Sequence, residues 1–238
     1  RDESRRFLPC AFSVDLATSP WGAAPAIPEA AYPSALLRSP LDPTLVRLLL
    51  SDRRTGALPP AVSIRAADAA AFSAFFNQGQ VCCAGSRLLV QESIADRFYD
   101  KVRRRMERLV VGDSMDKSID IGALVDAGQL ERVTRLVDSG VKEGGELWQP
   151  ECELPSGGCF YPPTLITGLE TSDPLMQEEI FGPVAPLFKF RTEEEAIAMA
   201  NDTQFGLACY FYSRDVGRIW RVGEGLEYGI VGINEGII

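Results

Sequence analysis

From about Ala67 to the last residue, segments with the 3.6-residue period of a helix alternate with short apolar runs of strand character. That alternation confines this part of the chain to an α/β fold, a parallel sheet covered by helices on both faces. Ala67 to Phe76 reads as helix and Ser86 to Gln91 as strand. A helix opens at Ser93 with Asp96 three residues on, and aligns Ile94, Phe98, Val102, Met106 and Leu109 on one face. Another opens at Asp126 with Gln129 in the capping position, burying Leu130, Val133, Leu136, Val137 and Val141. Strands follow near Phe160 to Thr167 and Val184 to Phe190. Thr192 with Glu195 starts a helix, Leu207 to Tyr212 is a strand, Ser213 caps a helix to about Gly223, and Gly229 to Asn234 is a final strand. No internal repeat is visible.

Residues 1–66 behave differently. Nine of the sixteen prolines fall among the first sixty residues, and no period of 2 or 3.6 survives between them, so this segment is expected to be irregular. Two regions result, 1–66 and 67–238.

Charge and composition exclude several partners. A net charge of -9 repels nucleic acid and anionic membrane surfaces alike. The one basic run, Arg103-Arg104-Arg105, is expected on a solvated helix face. No apolar stretch approaches the roughly 20 residues needed to span a bilayer, and no leader or targeting signal is visible, so a soluble protein is expected. Six cysteines without a paired framework suit a reducing compartment. With no histidine, Ser-His-Asp and Cys-His chemistry and most zinc sites are out of reach, and no metal site is read.

The most informative stretch runs from Phe75 to Arg87, Phe-Phe-Asn-Gln-Gly-Gln-Val-Cys-Cys-Ala-Gly-Ser-Arg. Two thiols follow a glycine turn between a helix and a strand. Such a turn leaves amide N–H groups pointing into open space, where they can favour a thiolate and hold an oxyanion. From the residues alone two readings stay open: a nucleophile seat, or two small buried hydrophobes at Cys82 and Cys83.

Gly79-Gln80-Val81-Cys82 resembles the active-site cysteine signature of the aldehyde dehydrogenase superfamily. The resemblance implies that Cys82 is the catalytic nucleophile, forming a thiohemiacetal and then a thioester as hydride passes to NAD or NADP. Gln177 to Val184 resembles the family's Glu-Ile-Phe-Gly-Pro segment, which implies that Glu179 and Phe181 bind the cofactor, on the nicotinamide ribose and near the nicotinamide respectively. A carboxylate suits a ribose diol and a ring suits a planar heterocycle, the plain alternative being a turn after a short acidic helix. Tyr161 to Thr164, and Asn201 with Phe205 to Leu207, resemble structural segments of the family. Phe75 to Gly168 is similar to the family-sixteen aldehyde dehydrogenases, and Asp202 to Ile238 to succinate-semialdehyde dehydrogenases.

The resemblance further implies a small-molecule aldehyde as substrate, a homo-oligomer for intact members, and a cytoplasmic or mitochondrial location. It also identifies what these 238 residues do not include: the Glu-Leu-Gly-Gly segment with the general base, the upstream oxyanion asparagine, and most of the dinucleotide-binding half. Only Glu3 and Glu29 precede Phe75, and Glu143-Gly144-Gly145 is a helix C-cap rather than that segment. Succinate-semialdehyde dehydrogenases tend to carry an arginine where Phe76 stands, so Phe75 and Phe76 favour an apolar or aromatic aldehyde. A non-catalytic dehydrogenase-derived scaffold, or a truncated inactive fragment, is the competing reading.

Overall fold

The computed structural model describes residues 64–170 and 172–237. The irregular segment expected over 1–66 lies outside these, except for its last three residues, which already belong to the first helix, α1 (Ile64–Phe75). After α1 come β1 (Leu88–Gln91), α2 (Ala95–Met106), α3 (Ala127–Lys142), β2 (Glu146–Trp148), β3 (Thr164–Thr167), α4 (Pro174–Gln177) and β4 (Val184–Phe190). α5 (Glu193–Asn201), β5 (Ala208–Phe211), α6 (Val216–Gly225) and β6 (Ile230–Ile233) complete the order. None of the described helices is long and apolar enough to cross a membrane.

Four strands form a sheet in the order β1-β4-β3-β2, and β5 pairs with β6 in a separate parallel ribbon. The expected parallel sheet holds for β1, β4 and β3; β2, which the sequence did not announce, runs antiparallel along β3. Both faces are covered. Leu165 and Ile166, neighbours on β3, point to opposite sides and are both fully buried. Leu165 packs with α1 and α2, while Ile166 packs with Val133, Leu136 and Val137 of α3. Burying each side chain fully contributes about 1.5–3 kcal/mol. Apart from Phe75 at its end, the buried positions of α1 are small, Ala66, Ala67, Ala71, Ser73 and Ala74, so the helix sits close against its neighbours.

β4 is central yet carries Pro186, a residue that cannot donate to a ladder. Its pairing with β3 covers Val184 to Pro186 and its pairing with β1 covers Leu187 to Phe190. Pro186 therefore falls where the hydrogen-bonding partner changes, so a missing N–H costs little there.

Several helix starts differ from expectation for local reasons. Ser93 lies inside a 3-10 turn (Glu92–Ile94), and α2 begins without a side-chain cap. Its apolar face is otherwise as read, with Ile94, Phe98, Val102 and Met106 buried. Asp215, not Ser213, caps α6 by accepting from the Arg218 N–H at 2.8 Å; Ser213 instead accepts from Asp215 N. In α3 Val141 is exposed, and Gly140 takes the buried position under Leu175 and Ile166. Arg103 does not lie on a purely solvated face: its guanidinium stacks between the rings of Tyr99 and Trp148, 5.4 and 4.5 Å from their centroids. Glu143 to Gly145 ends α3 as expected, with Gly144 at φ +105° and Gly145 N donating to Gly140 O.

Asp126 caps α3 as the sequence indicates, its carboxylate accepting from Gln129 N at 2.8 Å. Asp126→Ala is expected to lower stability by about 1 kcal/mol in urea melts. A larger, pH-dependent contribution joins α5 to α6. The Glu193 carboxylate, 8% exposed, accepts from Arg221 at 2.7 and 3.0 Å and from Arg218 at 2.9 Å. Arg221 first, and then Arg218, hold its pKa below the ordinary 4.5, against the opposing effect of burial. A carboxyl with a lowered folded pKa contributes stability that is present above the unfolded value and lost as pH falls through the folded one. Melts below about pH 4.5 are therefore expected to fall more steeply for the natural protein than for Glu193→Gln.

Candidate active site

Between α1 and β1 the backbone makes an unusual turn. Asn77, Gln78 and Gly79 adopt φ of +50°, +60° and +69° in succession, a left-handed run that only glycine enters without strain. The surrounding hydrogen bonds hold it there. Gln78 accepts from Gly122 N at 3.1 Å and donates to Ala123 O at 3.3 Å, while Gln80 accepts from Val125 N at 3.2 Å. Asn77 Nδ2 donates to Gln80 O at 3.1 Å. The segment just before α3 thus clamps the segment just before the cysteines.

Val81 to Ala84 then closes a tight turn, Ala84 N donating to Val81 O at 3.0 Å, with Cys82 and Cys83 as its central residues. Cys82 is exposed and in no disulfide, which removes one of the two readings open at the sequence level: this thiol is not a buried hydrophobe. Its backbone N–H makes no hydrogen bond among the described residues. Cys83 is half-buried, and its carbonyl accepts from the Tyr210 hydroxyl at 2.9 Å.

The second motif, a hundred residues on, touches the first directly. A Cβ on Gly79 would lie 2.1 Å from Gly182 O, and one on Gly182 would lie 2.5 Å from Val133 of α3. Both positions require glycine because backbone meets backbone and then helix. The intervening loop is held by side chains on its carbonyls. Arg87 donates to Glu178 O at 2.7 Å, Arg132 to Glu179 O at 2.5 Å, and Gln129 to Ile180 O and Phe181 O at 3.1 and 2.8 Å. Phe181 itself sits at φ +53°, a conformation these bonds support.

Cys82, Glu179 and Phe181 line one cavity of 330 Å³, together with Arg87, Tyr210 and Tyr228. The three residues selected by motif are therefore brought together. Glu179 is exposed and its carboxylate makes no hydrogen bond among the described residues, so both oxygens are available to a diol. The Phe181 ring offers an apolar face to the same cavity. Burial pushes the Arg87 guanidinium down from its ordinary pKa, opposed by Tyr228 and Glu179, and its Nε is buried without a partner. Tyr228 is pushed up to about 12 by burial. Among the described residues no three His, Cys, Asp or Glu gather as a metal site.

Phe75 and Phe76 do not line this cavity. Phe75 is buried in the α1–α2 core, and Phe76 stacks on Phe72 at the surface, ring centroids 5.1 Å apart. The apolar-aldehyde expectation drawn from them thus loses its basis. Sequence reasoning also passed over Arg87, Gln129, Arg132 and Tyr210. Gln129 was legible only as a cap, because nothing local indicates that its amide reaches a loop fifty residues away.

The aldehyde dehydrogenase family pattern matches residues 61–238, which takes in every described residue. The chain belongs to the aldehyde dehydrogenase family. It is 42% identical over 174 residues to the NADP-dependent succinate-semialdehyde dehydrogenase of Escherichia coli (strain K12), covering 73% of this chain and 36% of that protein. It is also 42% identical over 164 residues to the mitochondrial succinate-semialdehyde dehydrogenase of Arabidopsis thaliana, covering 69% of this chain and 31% of that one. Among solved structures, an NADP-dependent enzyme from Escherichia coli superposes with a TM-score of 0.70 at 43% identity, covering 73% of this chain and 36% of the other. Betaine aldehyde dehydrogenase from Staphylococcus aureus, in complex with NAD+, gives 0.69 at 36% identity, covering 73% and 35%. The chain thus spans about a third of the length of these aldehyde dehydrogenases. The likeness to semialdehyde dehydrogenases extends well beyond Asp202 to Ile238, where the sequence placed it.

Proposed function

We propose that the protein carrying this chain oxidises an aldehyde to a carboxylic acid with NAD or NADP, and that Cys82 forms the covalent intermediate. The observation that carries this is the exposed Cys82 thiol on a tight turn, sharing one cavity with Glu179 and Phe181. The Cys82 sulfur, as thiolate, adds to the aldehyde carbon and the carbonyl oxygen becomes an oxyanion. The Cys82 N–H, which makes no hydrogen bond among the described residues, is the donor we assign to it. Bound NAD(P) would accept the hydride released as the C–H bond of the former aldehyde carbon breaks, leaving a thioester. Water then adds to the thioester carbon, the C–S bond breaks, and carboxylic acid leaves as the thiol is restored.

Glu179 would hold the cofactor's ribose and Phe181 would lie against its nicotinamide; Gln129, Arg132 and Arg87 hold the loop that carries them. The names of the relatives put short carboxylate-bearing semialdehydes first among the substrates, although Phe76 stands where those enzymes tend to have an arginine. The test is equilibrium binding of NAD and NADP, followed by NAD(P)H absorbance with succinate semialdehyde, glutarate semialdehyde and apolar aldehydes. Aldehyde-dependent NAD(P)H formation supports oxidation. A folded protein that binds neither nucleotide and turns over no aldehyde is the scaffold instead.

A further inference from the structure

Tyr210 lies 127 residues from Cys83 in sequence, yet its hydroxyl donates to the Cys83 carbonyl at 2.9 Å. Its ring is accommodated by Gly232 and lies near Gly85. On β6, Gly232 presents no Cβ; one placed there would lie 2.4 Å from Tyr210 Cδ1 and 3.0 Å from Cε1. On the other segment, a Cβ at Gly85 would already stand 3.8 Å from Tyr210 Cδ2, and Gly85 is itself held by its N–H donating to the buried Ser73 hydroxyl at 2.8 Å. The ring therefore occupies a slot that β6 and the cysteine loop form between them, which fixes where its hydroxyl ends. Tyr210 also lines the cavity that contains Cys82.

We infer that Tyr210 is a positioning residue for the nucleophile, acting through the Cys83 carbonyl to set the turn that presents the Cys82 thiol; this rests on Cys82 being the nucleophile. The Cys83 carbonyl follows Cys82 by one residue in a turn closed by the backbone bond from Ala84 N to Val81 O. A carbonyl free to swing beside the thiol would place its negative end against both a thiolate and the oxyanion formed on attack. Bonded to a hydroxyl, that oxygen is fixed and partly neutralised. Loss of the hydroxyl then loosens the geometry of Cys82 without opening the core, because the ring of phenylalanine fills the same slot.

The test is the rate at which iodoacetamide alkylates each cysteine of the intact chain, followed by peptide mass spectrometry in the natural protein, Tyr210→Phe and Gly232→Ala. Cys209, adjacent to Tyr210 and pushed up to about 11 by burial, reports on structural loosening. The expected result is Cys82 alkylation slowed about five- to tenfold in Tyr210→Phe, the scale of one lost hydrogen bond, with Cys209 still protected. Gly232→Ala, which displaces the ring, should slow Cys82 in the same sense. An unchanged Cys82 rate, or a change matched by new labelling of Cys209, overturns the positioning role. If Cys82 in the natural protein reacts no faster than Cys83 or Cys152, the nucleophile assignment fails first and takes the proposal with it.

Discussion

Cys82→Ala is expected to lower aldehyde-dependent NAD(P)H formation by about 10³-fold or more, the scale on which removal of a covalent nucleophile acts. Stability should barely change. Cys82 is exposed and in no disulfide, so its truncation creates no cavity and orphans no buried group. Activity lost at constant melting midpoint separates a chemical role from a packing one. Cys83→Ala provides the contrast: its side chain is half-buried and its turn is held through a backbone carbonyl that alanine retains, so turnover should persist. If Cys82→Ala kept full turnover while Cys83→Ala lost it, the assignment between the two thiols would be reversed.

The second large effect is expected at Gly79. Alanine there would have to hold φ near +69°, which costs about 1–2 kcal/mol for an L-residue. Its methyl would also lie 2.1 Å from the Gly182 carbonyl oxygen and 3.0 Å from that of Ala74, neither of which is the movable end of a side chain. Backbone must shift, and overpacking of this kind adds about 1–3 kcal/mol. Gly79→Ala is therefore expected to destabilise by about 3 kcal/mol or more in urea melts. Because Gly79 touches the loop of Glu179 and Phe181 as well as leading into Cys82, the same change should weaken both NAD(P) binding and Cys82 reactivity. A stable variant with normal nucleotide affinity would show that the two motifs are not mechanically joined at this contact.

The candidate site residues were legible in the sequence, their connections much less so. Period and capping signals placed α3, β4 and α5 closely, since Asp126 and Thr192 cap as side chains usually do. β2 escaped notice because a three-residue antiparallel edge, with Glu146 and Leu147 exposed, has no alternation long enough to read. Ser93 and Ser213 misled because each belongs to a short turn one step before the real helix start. Cys82, Glu179 and Phe181 were selected by motif, and the fold brings them to one cavity. What could not be read were partners set only by tertiary approach: Gln129 on the Phe181 carbonyl, Gly79 against Gly182, and Tyr210 on Cys83. Phe75 and Phe76 show the converse, since proximity in sequence to the cysteine suggested a substrate contact, and the end of α1 turns Phe75 inward while Phe76, in the turn that follows, is exposed.

The most direct test of the central claim needs no cofactor. An activated ester such as p-nitrophenyl acetate should acylate a thiolate nucleophile, releasing nitrophenolate as the thioester forms, and digestion followed by mass spectrometry locates the acetyl group. The structure predicts a burst of nitrophenolate with acetyl on Cys82 ahead of Cys83, Cys152, Cys159 and Cys209. Acetyl spread evenly over these cysteines, or absent from Cys82, would contradict it.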